Sequence, residues 1–245
     1  MSQLLDKNCA EQLEYDLLEF MCLQRARVPA ARDAFEHMRA DAVLILAKEL
    51  QKAGKLPPTP VGCEDLFDRV VVSIDPETSL RAMPIVLKGM TERILPKLGF
   101  GVLENTTNID LITSDNPVIW FVPYDDEERI RPYEMHPDLP LELLFPLSPK
   151  LLLYGSSQDV GRFDGHGLRY GKLVSTDGVE RINRLLAKFA YSAIMARDAA
   201  PSKLAEQYAG VCPVMHTSAI PQENGQLVML HMEFGKRRDK AKWTS

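Results

Sequence analysis

Between Leu111 and Val122 the chain reads Leu-Ile-Thr-Ser-Asp-Asn-Pro-Val-Ile-Trp-Phe-Val. An apolar run enters, Ser114, Asp115, Asn116 and Pro117 interrupt it, and a second apolar run leaves. This pattern predicts two buried strands joined by a tight polar turn. A hydroxyl, a carboxylate and an amide are thereby crowded together between core elements, so this turn is where chemistry is first sought.

Upstream of it the period is helical. Residues 2–27 carry Leu4, Leu5, Leu13, Leu17, Leu18, Met21 and Leu23 mostly at three- and four-residue spacings, which predicts a helix. Val28-Pro29 stops it, because proline lacks the N–H a helix interior needs yet suits the first turn of a new one. A second helix is expected from about Ala30 to Lys52, with Phe35, Met38, Ala42, Ile45 and Leu46 on its apolar face and Gly54 beyond its end. Two long helices with a short joint make an antiparallel hairpin. Residues 55–62 are a proline-rich loop, and residues 64–74 fit a short helix or a buried strand, the flanking helical sequence favouring helix. Residues 78–98 predict another helix, with Pro84 marking a kink or a break.

The period shortens at Gly99. Residues 100–104 predict a strand, and residues 141–156 predict strand broken by a turn around Pro146 to Pro149. Residues 123–140, headed by Asp125-Asp126-Glu127-Glu128, have no apolar period and are expected to form a lid or a disordered excursion. The glycine-rich stretch 159–171 is loop. Asp177 and Glu180 have capping-box spacing ahead of a helix over 178–198, and 201–210 predicts another helix. Residues 213–220 and 226–234 read as a terminal hairpin across Asn224-Gly225. Helices, then strands, then a helix and a hairpin predict an α+β fold: an N-terminal helical hairpin and helices on a mostly antiparallel sheet. With 245 residues, 45% of them hydrophobic, the chain is read as one domain with a mainly helical part, 1–98, and a mixed part, 99–245.

Several function classes lose support. A net charge of −5 argues against a general nucleic-acid binder, although Arg25, Arg27, Arg32 and the basic run 236–242 leave a local groove open. Cys9, Cys22, Cys63 and Cys212 form no CxxC pair and read as free thiols of a reducing compartment. The N-terminus lacks the basic-then-apolar pattern of a signal peptide, and no apolar run approaches the roughly 20 residues that span a bilayer, so a cytoplasmic location is expected. There is no P-loop, no G-x-G-x-x-G and no G-x-S-x-G. The histidines His37, His136, His166, His216 and His231 have no metal-binding spacing, although His216 and His231 can meet across the terminal hairpin.

Two readings of the turn stand side by side. In the structural one, Asp115 caps the turn and Asn116 is held extended by the proline after it. In the functional one, Asp115 is a general base or metal ligand, with Ser114 beside it and Asn116 orienting a substrate amide, carbonyl or phosphate. A lone carboxylate holds no divalent ion, so Glu104, Asp110, Glu142 or Asn183 would have to join it. Asn183 lies on or beside the apolar stripe of its helix, where a buried amide needs partners such as Asp115 or the turn's backbone. Arg25, Arg27 and Arg32 cluster at the helix–helix corner, as a salt bridge to Asp115 or the acidic loop, or as an anion pocket.

Phe20 to Pro29 with Arg32, Leu111 to Val118, Phe145-Pro-Leu-Ser-Pro-Lys150 and Val179-Glu-Arg-Ile-Asn-Arg-Leu185, in that order, resemble a widespread bacterial family, domain of unknown function 4238, over about residues 10–200. One departure stands: the family's usual opening, H-Y-V-P-x-x-Y-L-x-x-F, has no counterpart in this chain, which begins downstream of it. The family implies no reaction. Three hypotheses remain: a hydrolase or nuclease-like enzyme using Asp115 and Asn116 with Arg27 on a phosphate; a non-catalytic module gripping a protein partner or itself; and a nucleic-acid-associated factor. The cofactor is open, with a divalent metal as one option.

Overall fold

The structure is a computed structural model, and it describes residues 7–160, 168–199, 201–222 and 225–237. Two long helices come first, α1 (Lys7–Arg27) and α2 (Pro29–Lys52), with Pro29 opening the second. A single helical turn, α3 (Leu66–Arg69), precedes α4 (Pro76–Arg93), whose N-cap Asp75 accepts a hydrogen bond from the Glu77 backbone. Pro84 is accommodated inside α4, so it marks no break.

The central sheet has five strands: β1 (Gly99–Asn105), β3 (Ile119–Phe121), β4 (Glu142–Ser148), β5 (Leu151–Ser156) and β6 (Arg169–Leu173). Their order is β3-β4-β5-β1-β6, antiparallel except for the parallel β1–β6 pair. Two short strands, β2 (Thr113–Ser114) and β7 (Ile194–Met195), pair separately, and β8 (Cys212–Gln222) forms a two-stranded ribbon with β9 (Gly225–Gly235). Helices α5 (Thr176–Phe189) and α6 (Ser202–Gln207) complete the α+β architecture.

Both faces of the central sheet are covered. Val118, Trp120, Leu143, Phe145 and Leu153 pack with Met21 of α1, Met90 of α4 and Ile94 just beyond α4. Ile119, Phe121, Leu144 and Leu152 pack with Val179, Leu186 and Phe189 of α5. Alternate residues of one strand thus enter opposite cores, so these strands read as unbroken apolar runs.

Four expectations are corrected. The apolar runs around Ser114–Pro117 do not pair with each other: β2 joins β7, while β3 joins β4. Residues 123–140 are no loose excursion, since Ile130 is buried and Glu127 is held by Arg184 at 2.9 Å. Ser175, and not Asp177, caps α5 by accepting from the Gly178 backbone. Finally, α5 ends at Phe189, nine residues before 198, and the chain turns there into β7.

Candidate functional site

The early end of α5 is what builds the site. Asp115 leaves β2 beside the turn after α5, and its two carboxylate oxygens accept from the Tyr191 and Ser192 backbone amides at 2.9 and 2.8 Å. Its own amide donates to the Ala193 carbonyl. Asp115 therefore satisfies two backbone N–H groups of the turn that follows α5. Ser114, buried, accepts from the Asn116 amide at 3.1 Å, which tightens the turn.

Asn116 is wholly buried. Its Nδ2 donates to the Tyr133 hydroxyl at 2.6 Å and to the Phe189 carbonyl at 2.8 Å. Its Oδ1, also buried, has no hydrogen-bond partner among the described residues. Tyr133 comes from the segment expected to be loose, and its φ is +60°, a left-handed conformation that costs an aromatic residue. Burial pushes its phenol above the ordinary value, against the opposing pull of the Arg25 charge and the Asn116 hydrogen bond.

Arg25, near the end of α1, is 7% exposed. Its guanidinium lies 4.0 Å from the Tyr133 ring centroid and 5.4 Å from that of Trp120. Its Nε and Nη1 are buried without an acceptor, as is Nε1 of Trp120, and Oε2 of neighbouring Glu134 is buried without a donor. No carboxylate pairs with this arginine among the described residues.

A second polar group adjoins the corner. Buried Asp33 of α2 accepts from the Tyr191 hydroxyl, and Cys212 opens β8 beside them. Burial raises the Cys212 thiol above its ordinary value, the nearby Arg237 working against it, so it is poorly suited as a nucleophile.

The remaining expected residues lie apart. Asn183 is buried and pins the segment before the turn, accepting from the Ile112 amide and donating to the Asp110 carbonyl. It lines a separate cleft of about 430 Å3 with Asp110, Arg184 and Arg197. Arg27 is exposed, and Arg32 pairs with Asp33 and Glu36. Asp110 pairs with Lys150, and Glu142 accepts from the Tyr154 hydroxyl. Burial holds the Glu142 carboxyl above its ordinary value. Among the described residues, no group of three or more His, Cys, Asp or Glu is placed to hold a metal ion. Sequence reasoning missed Tyr133, Trp120, Asp33 and Tyr191. Only Trp120, inside the apolar run, carried a local signal.

Among the described residues no helix is long and apolar enough to cross a membrane. No curated protein and no solved structure matches the chain. A family profile does match residues 4–200, and with that share of the sequence covered the chain belongs to the family described as Protein of unknown function (DUF4238).

Proposed function

We propose that the corner between the α1–α2 joint and the Ser114–Pro117 turn binds a small anion, a carboxylate or a phosphate ester, through Arg25. The observation that carries this reading is the buried guanidinium with no acceptor for Nε and Nη1 among the described residues. An uncompensated buried charge costs several kcal/mol, roughly, unless a counter-charge arrives. Arginine's planar fork suits both carboxylate and phosphate oxygens. The Trp120 indole N–H and the protonated Tyr133 phenol would add donors, and the unpaired Asn116 Oδ1 would accept from a hydroxyl or amide of the ligand. These groups supply recognition. The hydrolase reading needs a base as well, and the flanking carboxylates are Asp33, held by Tyr191 and Arg32, and Asp115, held by two backbone amides.

The test is thermal unfolding with increasing inorganic phosphate or acetate, for the wild type and Arg25→Met, which keeps the apolar stem. A ligand bound only by the folded state raises the melting temperature by mass action. The wild type is expected to be stabilised by one of the two anions, and Arg25→Met is expected to fold at least as stably while losing that response. Loss of stability in Arg25→Met together with an unresponsive wild type would make the arginine a packing residue. Turnover of p-nitrophenyl phosphate, abolished by Asp33→Asn or Asp115→Asn in folded protein, would add catalysis to recognition.

A further inference from the structure

The ribbon of β8 and β9 is anchored at one end only. Cys212, Pro213 and Val214 are buried at its base, whereas Ser218 and Ile220 on β8 and Leu227 to His231 on β9 are exposed. At the base, Phe234 stacks edge-on against Phe189 of α5, and Glu233 pairs with Arg131. Among the described residues its two strands pair with each other and with no third strand. At about 3.3 Å per residue, residues 217–222 project roughly 17–20 Å.

Among the described residues the projecting part carries no charged side chain between Ser218 and Leu230, and several of its exposed side chains are apolar. Ile220 is 41% exposed, Leu227 51%, Val228 40%, Met229 48% and Leu230 47%. The register puts Ile220, Leu227 and Met229 on one face of the ribbon and Val228 and Leu230 on the other, so both faces of its free end expose apolar side chains. Two ribbons joined edge to edge carry these apolar side chains across the seam, where neighbours on adjacent strands pack against each other.

The two edges differ. Positions along an antiparallel strand alternate between bonding the neighbour and pointing away. Pro213 and Pro221 lie eight residues apart on β8, so they share one set, and having no N–H they belong to the outward one. The outer edge of β8 is thereby blunted at both ends. Their cross-strand partners are Phe234 and Gln226, which makes Gln226, Val228, Leu230 and Met232 the outward positions of β9. All four keep their N–H, and β9 contains no lysine or proline to discourage pairing.

We propose that β9 is a dimerisation strand that pairs antiparallel with β9 of a second copy of this chain, making a continuous four-stranded sheet. The parity of the outward positions fixes the permitted centres. A two-fold axis through Met229 sets Val228 of one copy opposite Leu230 of the other, and Met229 opposite Met229, with no like charges facing. The blunted β8 edges close the assembly at two copies, where two open edges would let it grow. The hairpin lies outside residues 4–200, so this surface is separate from the family-matched part of the chain.

Sedimentation of the full chain over a concentration series tests this. The wild type is expected to be a reversible dimer. Val228→Pro removes an outward N–H without touching the β8–β9 ladder, and Leu230→Lys puts a charge on the same edge. Both are expected to weaken association at least tenfold while circular dichroism stays unchanged. Val61→Lys, on a side chain that is 99% exposed elsewhere, is expected to leave it intact. Should Val228→Pro fail to fold, Leu230→Lys decides alone. A wild type that stays monomeric at the highest concentration, or a dimer indifferent to the edge variants, would overturn the proposal.

Discussion

The Tyr133 hydroxyl and the Asn116 side-chain amide are 2.6 Å apart, and this bond closes a backbone held at φ +60° over the polar turn. The strain at Tyr133 is sustained by its ring, which stands edge-on to Trp120 and Phe189 and beneath the Arg25 guanidinium. Tyr133→Phe keeps those ring contacts and loses one hydrogen bond, so denaturant unfolding is expected to show a loss of about 1 kcal/mol. Tyr133→Ala also leaves a cavity and is expected to cost about 3–5 kcal/mol. Equal losses in the two variants would mean that the hydroxyl, and not the ring, holds the strained segment.

Asp115 ties the turn to the end of α5 through two backbone amides. Hydrogen bonds to a charged group contribute about 1.5–3 kcal/mol each. Asp115→Ala is expected to lower stability by about 3 kcal/mol or more. Asp115→Asn retains one acceptor oxygen and is expected to fall between it and the wild type. Faster hydrogen exchange at the Tyr191 and Ser192 amides in Asp115→Ala would report the loss directly.

Acid sensitivity is expected to centre on Glu127. Its hydrogen bond from Arg184, with the charges of Arg181 and Lys188, holds the carboxyl below its ordinary 4.5 despite partial burial. The folded state therefore binds the proton less tightly than the unfolded one. The resulting stability is present above about pH 4.5 and is lost as pH falls through the depressed value. Glu127→Gln is expected to be less stable at neutral pH by about 1 kcal/mol and to lose less on acidification. Parallel pH profiles for the two proteins would contradict this.

At the alkaline end the sign reverses. Burial pushes the Cys22 thiol from 9.0 up to about 11, helped by the Glu19 charge. Burial likewise raises the phenols of Tyr133, Tyr154 and Tyr191. These groups favour the folded state in their neutral forms. That contribution is full below pH 9 and declines as pH rises from 9 towards 11 for the thiol, with the phenols following at higher pH. Cys22→Ala is expected to flatten the first part of the decline, read as unfolding midpoint against pH.

The α5 cap separates two sequence signals. Ser175→Ala removes the acceptor for the Gly178 amide and is expected to cost about 1 kcal/mol. Asp177→Ala, one residue inside the helix, loses only a favourable charge near the helix N-terminus, about 0.3–1 kcal/mol. A larger loss for Asp177→Ala in thermal melts would restore the capping box.

The sequence by itself determined the α+β order, the two N-terminal helices divided at Pro29, the terminal ribbon and the polar turn at Ser114 to Pro117. Those features rest on local causes: periodicity, the missing N–H of proline, and turn chemistry. It left open whether Asp115 is a cap or a catalyst, and it mispaired the two apolar runs, because β partners are chosen by contacts distant in sequence. Only the tertiary structure decided that α5 stops at Phe189, which presents the amides of the following turn to Asp115 seventy-six residues away. The tertiary structure also brought Tyr133 into the corner, since nothing within a polar, aperiodic stretch announces a side chain that will lie beneath Arg25. Burial is a property of the whole fold, and it is burial without an acceptor that turns one of three neighbouring arginines into a candidate anion receptor while leaving Arg27 and Arg32 at the surface.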